Sequence, residues 1–208
     1  HEIVAVLTQP DRKSGRGKKI SFSEVKEIAL ENDLKVLQPA SLKDVEIQKS
    51  INNLKPDIIL VVAYGLLIPK TVLDIPKLGC INIHASLLPR WRGASPIESC
   101  IAAGDSESGI TMMKMSEGLD EGPILKKFVC HLDEKETLET LEKKFIAMSS
   151  ENLLQFLKDY ENKKISEVIQ PTTGSTYANK IDNTFKRINW AGQTAGEIEN
   201  KIRALNPK

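Results

Sequence analysis

The sequence lacks any hydrophobic run long enough to cross a membrane. Its longest apolar stretch, residues 58–68, is far shorter than the roughly 20 residues that span a bilayer. Residues 1–9 have no basic patch ahead of an apolar stretch and no small-residue cleavage site, so they do not resemble a signal peptide. These absences exclude a membrane protein, and we expect a cytoplasmic one.

Cysteines are few and the net charge is close to zero. Cys80, Cys100 and Cys130 make an odd number, with no Cys-x-x-Cys pair and no His at metal-ligand spacing. This pattern predicts reduced, mostly buried thiols and no metal site. The 29 Lys and Arg residues nearly balance the 28 Asp and Glu residues. Such a balance argues against a protein that coats nucleic acid, although a local basic patch remains open.

The residues that are present fit a globular protein. The chain has 208 residues, of which 40% are hydrophobic and 27% charged, typical of one folded domain or slightly more. It does not begin with Met and it ends abruptly at Pro207-Lys208, so we expect a fragment of a longer protein.

Short apolar strands alternate with helical segments along most of the chain. The alternation predicts an α/β fold with a doubly wound, mostly parallel sheet. In such sheets ligands lie beyond the carboxyl ends of the strands. The predicted strands are residues 2–8, 34–37, 57–63, 79–84, 110–115 and 124–130, and the predicted helices are residues 21–32, 44–53, 69–73, 96–103 and 138–160.

Two of these segments carry more detailed expectations. Ser21 is followed three residues later by a glutamate, the pattern of a capping box, which predicts that Ser21 starts the first helix. That helix would bury an apolar stripe of Val25, Ile28 and Ala29. Residues 57–63 form an unbroken, β-branched run that predicts a strand buried on both faces.

The character of the sequence changes after residue 163. Residues 166–192 are polar and rich in turn formers, which indicates a surface extension or linker. Residues 193–204 then predict a last helix. We therefore divide the chain into a main domain, residues 1–165, and a following region, residues 166–208.

Three polar residues are candidates for chemistry. Asn82 and His84 are two apart on a predicted strand, so both side chains project from one face. Asp120 lies between two glycines, which let backbone approach a ligand closely. Asn82 and His84 could donate hydrogen bonds to an oxyanion, and Asp120 could orient His84 or accept a proton from an attacking amine. Spacing alone does not exclude purely structural roles. Asn82 could be a turn residue at the end of its strand, His84 a hydrogen-bonded interior histidine and Asp120 a loop cap.

The motifs around these residues resemble the folate-dependent formyltransferase superfamily. Asn82-x-His84 is followed by Ser-Leu-Leu-Pro-Arg-Trp-Arg-Gly at residues 86–93, and Gly-Leu-Asp-Glu-Gly stands at residues 118–122. The resemblance implies a Rossmann-like formyltransferase fold. It also implies 10-formyltetrahydrofolate as co-substrate and no metal.

Further motifs are similar to the branch of this superfamily that acts on methionine-charged initiator tRNA. They are Thr-Gln-Pro-Asp-Arg at residues 8–12, Gly-Arg-Gly-Lys-Lys at 15–19, Val-Ala-Tyr-Gly at 62–65 and Arg-Ala-Leu-Asn-Pro at 203–207. The resemblance covers almost the whole chain. It implies transfer of a formyl group to the amino group of methionyl-tRNA for translation initiation, by a protein expected to be a monomer without membrane contact.

The resemblance also implies roles for individual residues. The implied catalytic residues are Asn82, His84 and Asp120; the folate-binding residues are Ser86, Leu87, Leu88, Pro89, Tyr64 and Gly65; the tRNA-binding residues are Arg12, Arg16, Lys18 and Lys19. Leu87 and Pro89 could instead simply pack their loop. Trp91 could stack on a base or pack the loop onto the domain.

Members of this family begin with a further strand and end with a tRNA-binding domain. The resemblance therefore implies that residues 1–165 are a catalytic domain without its first strand, and that residues 166–208 are a linker and the start of the tRNA-binding region. Loss of that strand would expose apolar surface beside residues 57–63.

Other functions remain as alternatives. A related enzyme could formylate a nucleotide-linked amino sugar or a purine precursor with the same three residues, but it has little use for the basic loop. A non-catalytic folate- or RNA-binding module would be favoured if any of the three were replaced, and none is. A nicotinamide-dependent dehydrogenase needs a Gly-x-Gly-x-x-Gly turn, and residues 15–17 lack the third glycine.

Overall fold

The structure is a computed structural model that describes residues 1–14 and 19–207, and it divides into two compact units. The first unit is His1–Cys80 and the second is Ile81–Lys208. Arg16 and Lys18, two of the residues expected to bind tRNA, lie outside the described residues, as does the side chain of Lys19. The boundary expected after residue 165 stays a prediction.

The first unit combines short strands with short helices. Its strands are β1 (Val6–Leu7), β2 (Arg12–Ser14), β3 (Lys19–Ser21), β4 (Val36–Leu37) and β5 (Ile59–Val61), and its helices are α1 (Glu24–Glu31), α2 (Val45–Asn53) and α3 (Lys70–Leu73). β1 pairs in parallel with β4, and helix α1 lies between them in the chain. This β1-α1-β4 connection is the crossover that the alternating pattern predicts.

Helix α1 begins later than the capping box predicts. Ser23 is its N-cap, since the Ser23 hydroxyl accepts a hydrogen bond from the Lys26 amide at 3.2 Å, whereas Ser21 belongs to β3. Of the expected apolar stripe only Ala29 is buried, and Val25 and Ile28 are more than half exposed. The prediction failed because a second serine competes for the cap and because strand pairing engages Ser21.

The expectation that residues 57–63 are buried on both faces was wrong. The strand β5 is only three residues long, and the side chains of Leu60 and Val62 are 37% and 61% exposed. Because these residues are two apart, they lie on the same face of the extended chain. That face is therefore partly open to solvent.

The second unit begins within a strand that carries two of the candidate residues. Its strands are β6 (Cys80–His84), β7 (Arg92–Gly93), β8 (Glu107–Lys114), β9 (Ile124–His131) and β10 (Tyr177–Ala178), and its helices are α4 (Pro96–Ala102), α5 (Leu138–Glu161), α6 (Asn183–Lys186) and α7 (Ala195–Leu205). β8 pairs antiparallel with both β6 and β9, while β7 pairs in parallel with β10.

The mixed pairing has a simple physical cause. A crossover between parallel strands needs a dozen or more residues, and only residues 115–123 separate β8 from β9. The two strands therefore form a hairpin, and the loop of that hairpin carries Asp120. Among residues 1–14 and 19–207, no helix is both long and apolar enough to cross a bilayer.

One buried cluster joins the helices of the second unit to its sheet. It comprises Cys100, Ile101, Ile110, Leu141, Phe145 and Ala204. Helix α5 buries the face that its periodicity predicts, and α7 contributes Ala204, which is fully buried. The three cysteines are free, and Cys80 and Cys100 are buried, as predicted.

A buried carboxylate lies at the start of α5. Glu136 is 2% exposed and accepts hydrogen bonds from the Lys144 ammonium, the Thr140 hydroxyl and the Asp133 amide. Burial raises the pKa of the Glu136 carboxyl, but the hydrogen bonds from Lys144 and Thr140 outweigh burial and hold the pKa below its ordinary value. The ionised Glu136 therefore stabilises the fold above the unfolded-state pKa, and this stabilisation is lost as pH falls through the folded-state pKa.

We expect the Lys144→Met variant to lower the free energy of unfolding at pH 7 by about 1–3 kcal/mol, since it leaves a buried charge short of a partner. The difference from wild type should shrink at pH 4, where protonation of Glu136 relieves the variant. Urea unfolding of the complete protein at both pH values measures this. The matched control is Lys143→Met, whose exposed pair with Glu139 is worth less than about 1 kcal/mol. Equal losses in the two variants would contradict the role given to burial.

Candidate active site

Strand β6 delivers Asn82 and His84 to one side of the second unit. Its pairing with β8 places Asn82 opposite Met113 and His84 opposite Thr111. Asn82 is half-buried and His84 is 5% exposed. As alternation along a strand requires, both side chains lie on the same face.

The loop between β8 and β9 brings Asp120 to the same place. Asp120 adopts a φ of +51°, a left-handed backbone conformation that Asp tolerates better than most residues. Gly122 allows this loop to approach β8 closely, because a Cβ atom there would lie 1.9 Å from the Lys114 carbonyl oxygen. The close approach fixes the position of the loop relative to the end of β8.

The Asp120 carboxylate is held from three directions. Its Oδ1 accepts a hydrogen bond from Asn82 Nδ2 at 3.3 Å, and its Oδ2 accepts one from the Gly93 amide at 2.8 Å. The same Oδ2 lies 3.7 Å from His84 Nδ1. Asp120 is thus in contact with both of the other residues expected to be catalytic.

The orientation of His84 follows from its second nitrogen. His84 Nε2 lies 2.8 Å from the Trp91 carbonyl oxygen. A carbonyl only accepts hydrogen bonds, so Nε2 carries a hydrogen. Nδ1 is then the nitrogen that faces the Asp120 carboxylate. This arrangement can hold or move a proton beside an amide donor.

The loop that follows β6 is braced from inside. The Ser86 hydroxyl donates to the Arg90 carbonyl at 2.6 Å. The Thr111 hydroxyl donates to the Ser86 carbonyl at 2.6 Å and accepts from the Leu88 amide at 3.1 Å. Ser86 and Leu88, two of the residues expected to bind folate, are fully buried, whereas Leu87 and Pro89 are half-buried.

The two remaining residues expected to bind folate belong to the first unit. The Tyr64 carbonyl accepts a hydrogen bond from Gln9 Nε2 at 3.0 Å. Gly65 has a φ of +76°, and a Cβ atom there would lie 2.7 Å from the same nitrogen. Burial raises the pKa of the Tyr64 hydroxyl, which has no hydrogen-bond partner among the described residues.

Only part of the expected tRNA site falls among the described residues. Arg12 is exposed, and its guanidinium donates to the Gln9 side-chain carbonyl at 2.7 Å. Of the two alternatives for Trp91, the structure has the residue packing its loop. The Trp91 indole N–H donates to Asp105 at 2.8 Å, and the ring packs against the core cluster of the second unit.

Sequence reasoning missed a buried contact to the Asp120 loop. Gln170 lies in the stretch expected to be a surface linker, yet it is 6% exposed. Its Nε2 donates to the Asp120 and Gly122 carbonyls, both at 2.8 Å. Its Oε1 accepts from the Arg92 guanidinium, whose Nη2 is 2.8 Å away. One glutamine in a polar stretch gives no sequence signal of burial, so only the fold reveals this contact.

Comparisons with known proteins identify the family to which the chain is similar. The model of the formyl transferase family matches residues 1–157. Over 207 residues the chain is 49% identical to a methionyl-tRNA formyltransferase of Legionella pneumophila (strain Corby) and 47% identical to one of Pseudomonas fluorescens. It is covered completely in both alignments but spans only 66% and 65% of those relatives, just under two thirds.

The fold resembles that of solved formyltransferases. An N-formyltransferase from Helicobacter canadensis, in complex with folinic acid and dTDP-3-aminofucose, superposes with a TM-score of 0.73 at 20% identity, covering 95% of this chain and 68% of that one. The likeness confirms the predicted α/β formyltransferase fold. With the family match over residues 1–157, it follows that the chain belongs to the formyl transferase family.

Proposed function

We propose that this chain carries the catalytic part of an enzyme that transfers a formyl group from 10-formyltetrahydrofolate to the amino group of methionyl-tRNA. The observation that carries the proposal is the contact of Asp120 with both Asn82 and His84. The relatives that are 49% and 47% identical are named as methionyl-tRNA formyltransferases, which supports the choice of acceptor. The reaction belongs to translation initiation in the cytoplasm, and the protein acts as a monomer.

The proposed chemistry is acyl transfer to an amine. The methionine nitrogen attacks the formyl carbon and forms a tetrahedral oxyanion. Collapse of that oxyanion breaks the bond to the folate nitrogen, which takes up a proton, while the attacking nitrogen loses one. Asn82 and protonated His84 donate hydrogen bonds to the oxyanion, and preorganised donors of this kind are each worth about 3–4 kcal/mol. Asp120 accepts the proton of the amine, directly or through water.

We assign the folate contacts mainly to backbone. The Ser86 hydroxyl is engaged with the Arg90 carbonyl, and the Leu88 side chain packs with Met113 and Ile124. These two side chains hold the loop, so its peptide groups and the half-buried Leu87 and Pro89 meet the co-substrate. The folinic acid bound to the Helicobacter canadensis enzyme supports a folate as the formyl donor.

Formyl transfer by the complete protein tests the proposal. Enzyme is supplied with 10-formyltetrahydrofolate and either methionine-charged initiator tRNA or a nucleotide-linked amino sugar, and formylated product is counted. Transfer to the tRNA alone is expected. Transfer to the sugar alone would preserve the chemistry but overturn the acceptor, which is the alternative suggested by the dTDP-3-aminofucose complex.

We place the acceptor end of the tRNA against Arg12, Arg16, Lys18 and Lys19. Cations set among glycines can follow a phosphate backbone, and the segment around them is the most basic of the chain. An enzyme for small amino sugars has little use for such a loop.

The Arg16→Ala variant is expected to raise the KM for tRNA and leave the KM for folate unchanged. Loss of one phosphate contact should also reduce the slope of log KM against log salt by about 1. Steady-state kinetics at several salt concentrations measures both. The control is Lys158→Ala, an exposed cation on α5. An unchanged salt slope in Arg16→Ala would remove the loop from tRNA binding.

A further inference from the structure

A short segment late in the chain supports the candidate site from two sides. We call residues 170–178 the bracing segment. At one end, Gln170 donates to two carbonyls of the Asp120 loop. At the other end, β10 pairs with β7, and Thr176 accepts hydrogen bonds from the Trp91 and Arg92 amides at 2.9 Å. The Asp120 loop and the strand β7, whose neighbourhood supplies the Trp91 carbonyl and the Gly93 amide, are therefore both held by the bracing segment.

The contact requires a side chain that donates two hydrogen bonds and also accepts from a guanidinium, and the amide of Gln170 does both. Its amide nitrogen carries two hydrogens, and both point to carbonyl oxygens on either side of Glu121. Its amide oxygen accepts from both Nε and Nη2 of Arg92. Arg92 is itself 7% exposed. Every polar group of the Gln170 amide is thus engaged away from water.

The Asp120 loop needs such a restraint. Asp120 has a φ of +51°, which is less favourable for a residue with a Cβ atom than the right-handed region. A loop released from Gln170 would relax toward more common backbone conformations. The carboxylate would then leave the Gly93 amide and the Nδ1 atom of His84, on which its orientation depends.

We propose that Gln170 is a positioning residue, which fixes Asp120 in its reactive orientation and is itself fixed by Arg92. The inference rests on the proposed function, because it gives Gln170 a role only through the chemistry of Asp120. Gln170 is 6% exposed and its amide is fully engaged within the protein, so its replacement should change the rate of the chemical step and not the affinity for either substrate.

The first test replaces Gln170 with methionine, which fills similar volume without hydrogen bonds. In the complete protein we expect kcat to fall about 30-fold, within the roughly 100-fold that a misplacement of 1 Å can produce. The KM for tRNA and that for folate should change less than about threefold. Gln170→Glu keeps an acceptor for Arg92 but no donor for the carbonyls, so it should lose at least as much.

The matched control is Gln48→Met, which removes a side-chain hydrogen bond to the Leu42 carbonyl in the first unit. Its kcat should equal that of wild type. Activity is expressed per binding-competent molecule, counted by titration with folinic acid, so misfolded protein is excluded. If the Gln170 variants do not fold, Arg92→Lys tests the same contact and should lower kcat about tenfold. A wild-type kcat in the folded variants would overturn the proposal.

A double-mutant cycle separates positioning from general support. If Gln170 acts through Asp120, then Gln170→Met should cost less than about threefold in an Asp120→Asn background. A full 30-fold loss in both backgrounds would show that Gln170 acts independently of Asp120, and the inference would fail. Wild-type formyl transfer by Asp120→Asn would remove Asp120 from the chemistry and so end the inference, whereas a wild-type enzyme that formylates no tRNA would overturn the proposed function.

Discussion

The Asp120→Asn variant is expected to lower the turnover number by about 1000-fold, within the range attributed to general acid–base catalysis. Asparagine preserves the size of the side chain but has neither a negative charge nor a basic oxygen. It can no longer accept the proton of the amine, and it no longer places a negative charge 3.7 Å from His84 Nδ1. Folate affinity should stay within a few-fold, because the fold of the loop is retained.

Single-turnover formyl transfer with saturating substrates measures the rate of this step, and folinic acid titration measures the affinity. Asp44→Asn is the matched control, since Asp44 caps α2 in the first unit and asparagine caps helices equally well. A turnover number close to wild type in Asp120→Asn would remove Asp120 from the chemistry. A large loss of folate affinity would mean that the carboxylate serves binding instead.

The Gly122→Ala variant is expected to damage both stability and turnover. The added Cβ atom would lie 1.9 Å from the Lys114 carbonyl oxygen and 3.2 Å from Met113 Cε. Neither the backbone of β8 nor the loop can give way without breaking the hairpin. We expect the free energy of unfolding to fall by about 3 kcal/mol, the upper end for overpacking. We also expect a turnover loss beyond about 100-fold, because Asp120 moves with the loop.

Urea unfolding of the complete protein and the formyl-transfer assay measure the two effects. Gly196→Ala is the control, because a Cβ atom on that residue of α7 meets nothing within 4 Å. It should leave activity unchanged and stabilise the protein by about 0.4–1 kcal/mol. If Gly122→Ala unfolds like wild type and stays active, the loop is more adaptable than its close approach to Lys114 indicates.

Local patterns in the sequence predicted helices and strands whose residues repeat with a regular period. The apolar periodicity of residues 138–160 predicted a helix that runs over Leu138–Glu161. The alternation at Asn82 and His84 predicted two side chains on one face of a strand that spans Cys80–His84. Such features need only the repeat of a helix or a strand.

Features that depend on distant partners were not predicted. The exposure of Leu60 and Val62 depends on which elements pack beside β5, and periodicity along the chain does not report that. The start of α1 depended on strand pairing at Ser21. The burial of Gln170 depends on the loop of a hairpin 50 residues earlier in the chain. In each case the missing information was the identity of the neighbour.

The candidate site also has features that the sequence predicted and features that only the structure shows. Residue types and spacing predicted a group made of an amide, an imidazole and a carboxylate, but spacing alone left a structural explanation open for each. The structure adds the contacts of Asp120 with Asn82 and His84. It also adds the Trp91 carbonyl that orients His84, a backbone group that no side-chain pattern encodes.

The pairing of β7 with β10 has a consequence for the order of synthesis. The Trp91 amide finds its acceptor in Thr176, a sequence separation of 85 residues. When Asn82, His84 and Asp120 have emerged from the ribosome, the nascent chain still lacks the bracing segment, residues 170–178. The proposed catalytic residues therefore gain these supports only after residues 170–178 have been synthesised. It also follows that a chain cut after residue 165 would keep every proposed catalytic side chain but would lose Gln170 and Thr176, which support their positions.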